Sequence, residues 1–250
     1  MRVTFLGTGT SRGVPFIGCL CKVCTSLNPK NKRLRSSILI ESEVNVVIDA
    51  SVDFRLQMLR YQVKRLDAIL CTHSHVDHIM GLDDVYPFNI WMEKSIPVYA
   101  NKETLRDVKL TFRHLFADKH YPGTASLKLV PIEDKFKIGD LQFEPIPVFH
   151  GTLPILGFRL ENFAYVTDVS YIPEESMHKL QNLDCLILDG LRYQSHPTHL
   201  SLSEAVEIAL CLKPRETYLI HITHDVDHAE ADKKLPKSVK LSYDGMVLEL

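Results

Sequence analysis

The apolar residues 66–71 run directly into Thr72-His73-Ser74-His75-Val76-Asp77-His78. Three imidazoles and one carboxylate within six residues, placed where a buried strand stops, constrain this chain more than any other feature. Neutral imidazole and carboxylate are the usual donors to zinc, iron and manganese. A strand end in a rigid sheet fixes such donors better than a free loop does. Polar turns draw on Gly, Pro, Asn, Asp and Ser, and a solvated turn rarely has this composition. In extended backbone His73 and His75 project to the same side and can grip one ion together. Asp77 and His78 follow as the chain turns and project elsewhere, which suits a second ion. Paired ions about 3.5–4 Å apart clamp both ends of a displacement reaction. They need more donors than these four residues offer.

Further candidates each close an apolar, strand-like run: His150 after residues 143–149, Asp168 after 163–167, and His221 after 217–220. Taken singly, each reads more readily as a capping or satisfied buried polar group than as a ligand; together with the first motif they complete a set. A carboxylate such as Asp168 has two oxygens and can bridge two cations. Asp49 ends residues 44–48 and also fits a turn or the N-cap of a helix over 53–61. A loop at about residues 13–30 carries Cys19, Cys21 and Cys24. Three thiols so close form no closed disulfide set, while Cys71, Cys185 and Cys211 sit in apolar runs that read as core. A structural zinc takes four donors, and His224, three residues beyond His221, is the best fourth. The alternative is three reduced thiols in a cytosolic loop.

His73-Ser74-His75-Val76-Asp77-His78, followed by Gly81-Leu82, resembles the signature of the metallo-β-lactamase superfamily, and His150, Asp168 and His221 follow in the expected order. The resemblance implies an α/β fold, a four-layer αββα sandwich, in one hydrolase domain over residues 1–250. It implies that His73, His75 and His150 hold one ion and Asp77, His78 and His221 the other, with Asp168 bridging. Asp49 would orient a ligand imidazole through a hydrogen bond. The Cys-x-Cys-x-x-Cys loop combined with His221-Ile222-Thr223-His224 is similar to the phosphoribosyl cyclic-phosphate phosphodiesterase (PhnP-like) branch. There three cysteines and the later histidine hold a structural zinc. Residues 5–13 and Thr198-His199-Leu200 match that branch too, and its histidine lies near substrate. Residues 189–197 are less like it.

The implied activity is that of a dinuclear metallohydrolase, a phosphodiesterase acting on a small phosphodiester, cyclic ones included. A metal-bridged hydroxide attacks phosphorus. Asp77 and His199 are the catalytic candidates, His199 as proton donor to the departing oxygen, with His196 its local competitor. The cofactors expected are two divalent ions, manganese or zinc with iron as a further choice, and one structural zinc. A transfer-RNA 3′-end endonuclease shares very similar motifs. Against it, the chain has no long Gly/Pro/basic insertion to grip RNA, and the formal charge of −2 gives no broad nucleic-acid footprint. Lactam or thioester hydrolysis is a third enzymatic choice, and a non-catalytic metal-dependent binding protein is the other class. Residues 30–35 form a basic strip without interleaved aromatics, which reads as a solvated loop. The glycine-rich residues 7–13 lack a P-loop ending and read as a turn beside the active site, where Arg12 or the amides could contact phosphate. His114, His120, His178 and His228 read as surface or structural residues.

Free thiols, no membrane-length apolar run and no export signal point to a cytoplasmic protein, monomer or homodimer, with no membrane partner. Strands are expected near residues 2–6, 37–41, 44–49, 67–72, 127–131, 141–149, 155–160, 163–167, 184–188, 216–221 and 245–249. Helices are expected over 53–61, 102–115, 174–181 and 202–212, the last opened by a Ser201–Glu204 capping box. Asn45, Gly139-Asp140, Glu161-Asn162 and Asp244-Gly245 read as tight turns.

Overall fold

The computed structural model describes residues 1–117 and 123–250, so His120 lies outside the described residues. Two seven-stranded sheets face each other. The first contains β1 (Arg2–Gly7), β2 (Ser37–Glu41), β3 (Asn45–Ile48), β4 (Ala68–Leu70), β5 (Ile96–Ala100), β6 (Leu127–Pro131) and β14 (Val247–Glu249), ordered β14-β1-β2-β3-β4-β5-β6. The second contains β7 (Phe136–Ile138), β8 (Leu141–His150), β9 (Leu153–Leu160), β10 (Phe163–Val166), β11 (Cys185–Asp189), β12 (Glu216–Ile220) and β13 (Val239–Leu241), ordered from β13 down to β7.

Period-two alternation assigns the faces. Ile38, Ile40, Val46 and Ile48 point between the sheets, where they meet Phe143, Phe158, Tyr165 and Ile187. Their neighbours Leu39, Val47 and Ile69 point outward, onto a layer built from α1 (Phe54–Arg60), α2 (Val76–Ile79), α3 (Tyr86–Met92) and α4 (Lys102–Thr111). Ala164, Leu186 and Leu219 similarly face the layer of α5 (Glu174–Lys179), α6 (Leu202–Leu212) and α7 (His228–Asp232). Both faces of these strands are buried, which is why they read as continuous apolar runs rather than alternating ones. Four layers, αββα, result.

Most expected elements form, α6 with its capping box at Ser201 and Glu204. Several differ. Asn45 is the first residue of β3 rather than a turn residue, and the connection falls at residues 42–44. The helix expected over 102–115 ends at Thr111 and gives way to a 3-10 turn, Arg113–Phe116. Strand β5 was hidden by Pro97, which lies beyond the pairing with β4 because that pairing joins only Ile69 to Val98 and Leu70 to Tyr99. Cys71 and Cys185 are buried as expected, but Cys211 is exposed, on the solvent side of the α6 helical period. Asp53, not Asp49, stands at the N-cap of α1.

The parallel strands β3 and β4 in one sheet, and β10, β11 and β12 in the other, bring their carboxyl ends to one edge of the sandwich. Asp49, His73, Asp168, Asp189 and His221 all emerge there, each at or just after a strand end. Ligands in open α/β sheets bind outside the carboxyl ends of strands for this reason. Among the described residues, no helix is long and apolar enough to cross a membrane.

Candidate metal centre and active site

Three imidazoles form the first group. His73 Nε2 lies 2.9 Å from His75 Nδ1. The Nδ1 of His150 is engaged by the carbonyl oxygen of Thr198 at 2.8 Å, which leaves its Nε2 for the site. His73, His75 and His150 can together offer donor atoms within 4.8 Å of one another. His75 is also the N-cap of the one-turn helix α2, so the chain coils immediately after it. That coil is what sends Asp77 and His78 in a different direction.

Asp77, His78, Asp168 and His221 make the second group, with donor atoms again within 4.8 Å. His78 Nε2 is 3.2 Å from Asp77 Oδ2 and 3.4 Å from Asp168 Oδ2. His221 Nε2 is 3.2 Å from Asp168 Oδ1. The Asp168 carboxylate therefore faces two imidazoles with its two oxygens. It also shares a donor set with His150, which joins the two groups. Asp49 lies behind, accepting from His78 Nδ1 at 2.7 Å and from the Thr72 backbone N–H at 2.8 Å.

Whether these residues suit cations can be read from their unmet hydrogen bonds. His78 Nε2 and both ring nitrogens of His221 are buried without a hydrogen-bond partner. Leaving a buried polar atom unpaired costs about 1–3 kcal/mol, and such atoms are rare in native interiors. Imidazole nitrogens aimed at carboxylates in a buried pocket are what a divalent cation satisfies, so the donor set fits. Backbone geometry agrees. Asp49, Asp168 and His221 have φ of 66°, 55° and 65°. Non-glycine residues in this left-handed region cost on the order of 1 kcal/mol each and cluster at functional sites.

His199 stands beside both groups. Its Nδ1 donates to Asp189 Oδ2 at 3.1 Å, and Asp189 also accepts the Leu200 N–H at 3.1 Å. Burial opposes protonation of His199, yet the adjoining Asp189 carboxylate outweighs it and raises the imidazole above its ordinary value. His199 lines the cleft over the site, a space of about 490 Å³ shared with Ser11, Arg12, Arg35, Asp77 and His150. His196 is not among the lining residues, and its Nδ1 is occupied by Thr198.

The cysteine loop meets His224 as expected. Cys19, Cys21 and Cys24 Sγ lie 3.4, 3.4 and 3.6 Å from His224 Nδ1. Zinc–sulfur and zinc–nitrogen bonds of about 2.3 and 2.05 Å at tetrahedral angles give an edge of about 3.6 Å, so this donor set too fits its ion. The Cys24 N–H donates to Cys21 Sγ and lowers that thiol to about 6 against the opposing effect of burial, favouring thiolate.

Three participants went unread in the sequence. Asp189 closes the apolar run of β11, the same signal that marked Asp168 and His221. Thr72 donates its hydroxyl to Asp49 Oδ2 at 3.0 Å and touches His73 Nδ1 at 2.9 Å. The strip 30–35 is not a solvated loop: Arg33 is buried, and Arg35 faces the cleft while paired with Asp53 at 3.2 Å. Of the other histidines, His114 and His178 lie at the surface and His228 is buried against Arg33 at 3.1 Å.

Comparisons with known proteins bear on this geometry. A family model for the β-lactamase superfamily domain matches residues 44–222, a span holding both histidine–aspartate groups. A crystal structure of a new diphosphatase from the PhnP family superposes with a TM-score of 0.94 and 42% identity, covering 100% of this chain and 97% of that one. An octanoyltransferase from Porphyromonas gingivalis is 38% identical over 252 residues, 98% of this chain, but this chain spans only about half (51%) of that protein. The short form of human tRNase Z shares 18% identity at a TM-score of 0.70, covering 100% of this chain and 99% of its own, which is a likeness of fold alone. The fold and its clustered histidines and aspartates imply bound divalent metal. This chain belongs to the metallo-β-lactamase superfamily and is a PhnP-like hydrolase of that fold.

Proposed function

We propose that the chain hydrolyses a phosphodiester-type P–O bond in a small molecule, using two divalent cations. His73, His75 and His150 would hold one cation, Asp77, His78 and His221 the other, with Asp168 shared and Asp77 also counted as catalytic. Cys19, Cys21, Cys24 and His224 would hold a separate structural zinc. What carries the proposal is the buried, unpartnered nitrogens of His78 and His221 beside the His199–Asp189 pair. Cations bound there supply Lewis acidity, making a nucleophile from water at neutral pH and neutralising phosphoryl charge.

The protein's own residues then have defined tasks. Asp49 holds His78 in the tautomer that presents Nε2. Asp189 accepts the hydrogen bond from His199 Nδ1–H and favours the protonated imidazole, whose Nε2–H can then donate to the departing oxygen. An alkoxide leaving group needs that proton. Arg12 and Arg35 give the cleft a cationic wall toward an anionic substrate.

The substrate class takes in two linkages. In a diphosphate bearing a substituent at each end, each phosphorus carries one ester and one anhydride oxygen. Like a phosphodiester it thus has two bridging oxygens and a single negative charge, and one site can serve both. The diphosphatase relative favours including the second. Base-stacking aromatics, on which single-stranded nucleic acid usually relies, are missing from the cleft lining, which carries no Phe, Tyr or Trp among the described residues. That tells against the transfer-RNA endonuclease. Bis-aryl phosphate, a cyclic ribose phosphate, a disubstituted diphosphate, precursor transfer RNA and a lactam, each assayed with manganese, zinc or iron, provide the test. Turnover is expected for the small phosphorus substrates. Cleavage of only the RNA or the lactam would refute the proposal.

A further inference from the structure

The cysteine loop and the cationic wall of the cleft are one connected segment. Arg12 immediately precedes the loop and Arg35 closely follows it. Its neck is closed by two hydrogen bonds, Val14 N–H to Arg33 O at 2.8 Å and Arg33 N–H to Val14 O at 2.7 Å. Just outside the neck, Arg35 Nε donates to Ser11 O at 3.2 Å, so the two arginines are anchored at neighbouring points. Arg35 is further fixed by Asp53. Arg12 has no side-chain partner among the described residues, although it lines the cleft.

The other end of the knuckle reaches the same place. His224 follows His221 by three residues, and Ile222 between them pairs with Thr8 O and the Thr10 N–H at 3.0 and 3.2 Å. Phe16 stacks on the His224 ring at 4.0 Å. Lys32 Nζ donates to Cys24 O at 2.8 Å, and Asn31 joins Ser26 to Asp227. Apart from Val14 and Val23, little apolar packing holds this loop: Ile17, Leu20 and Leu27 are all exposed. Its shape therefore rests on these hydrogen bonds and on the convergence of Cys19, Cys21, Cys24 and His224.

We propose that the Cys19–Cys21–Cys24–His224 knuckle is a clamp on the arginine wall, so that metal in the knuckle sets the affinity of the cleft for an anion. The proposal rests on the phosphoryl-hydrolase function only for the kind of anion. Inorganic phosphate, titrated by calorimetry into protein whose metal content is measured, is the probe. Cys21→Ser and Arg12→Ala should each weaken phosphate binding about tenfold, the scale of one charge-assisted hydrogen bond. The double variant should lose no more than either single one, because both act on one wall. Hydrogen exchange in residues 8–14 and 33–36 should quicken in Cys21→Ser and stay unchanged in Arg12→Ala. Should Cys21→Ser fail to fold, Phe16→Leu, which loses the stack on His224, takes its place in the same cycle. Unchanged phosphate affinity in the knuckle variant, or losses that multiply in the double variant, would overturn the clamp. A chain that hydrolyses no phosphodiester would refute the reaction class instead and leave this binding result standing.

Discussion

The Asp49 carboxylate accepts a hydrogen bond from His78 Nδ1 at 2.7 Å, both side chains fully buried. One oxygen thereby fixes which nitrogen His78 can present to the centre. The other accepts the Thr72 N–H and holds the residue before His73. Asp49→Asn keeps the shape but offers an amide that can force the wrong tautomer. Metal affinity or activity should fall about 10–100-fold, the usual cost of losing such an orienting partner, with little change in melting. Metal affinity unchanged by competition titration would remove Asp49 from this role.

Metal stoichiometry separates the two donor sets. Metal-replete protein should carry about three ions per chain by elemental mass spectrometry, two in the paired site and one in the knuckle. Asp168→Ala should retain the knuckle ion, lose or scramble the pair and abolish hydrolysis. Retention of all ions in that variant would show that Asp168 does not bridge.

His199 can be tested by its leaving group. His199→Ala should keep its metals yet hydrolyse an alkyl phosphodiester about 10²–10⁴ times more slowly. An aryl diester, whose leaving group hardly needs a proton, should suffer far less. Equal losses on both would assign His199 to substrate positioning.

Gly81, in the 3-10 turn that follows α2, presses on the segment just after Asp49. A Cβ there would sit 2.3 Å from both Phe54 Cβ and Ser51 O, and neither is the end of a flexible chain. Gly81→Ala should destabilise the fold by about 1–3 kcal/mol, as overpacking does. Chemical denaturation measures it, and wild-type stability would mean that the two segments can part freely.

Acid sensitivity should trace to His228. Burial, then the guanidinium of Arg33, depress its pKa to about 4 in the folded state, against an ordinary value near 6.5. Between those values the unfolded chain binds the extra proton, so the stabilising contribution is complete above pH 6.5 and fades as pH falls toward 4. Asp244, raised by burial to about 6, works in the opposite sense over much of this window. The wild-type profile therefore mixes both, and comparison with His228→Asn isolates one. The stability gap between the two proteins should narrow as pH falls from 6.5 to 4.5. A constant gap in thermal melts would mean that His228 is not held neutral.

Much of the centre was legible because its donors obey local rules. His73 and His75 are spaced by the strand period, and His150, Asp168 and His221 each stand where an apolar run stops. The strand-like runs and the family resemblance together suggested two packed sheets flanked by helices, and the burial of both strand faces is seen only in the fold. What the linear pattern lacked was any record of distance. Asp189 meets His199 across ten positions, and Arg35 meets Ser11 across twenty-four, only after β11 and the glycine turn are in place. The same basic strip 30–35 thus holds a buried Arg33 and a cleft-facing Arg35, a division no composition rule could make. Cys211 lost its expected burial to helical phase, and β5 is masked by Pro97, which pairs with β6 but lies beyond the pairing with β4. The positive φ of Asp49, Asp168 and His221 likewise belongs to the folded state alone. Short-range spacing, together with the family resemblance, marked the candidate donors; the opposed strand ends of two sheets decide which of them meet, because only tertiary packing can offset the strain of holding them there.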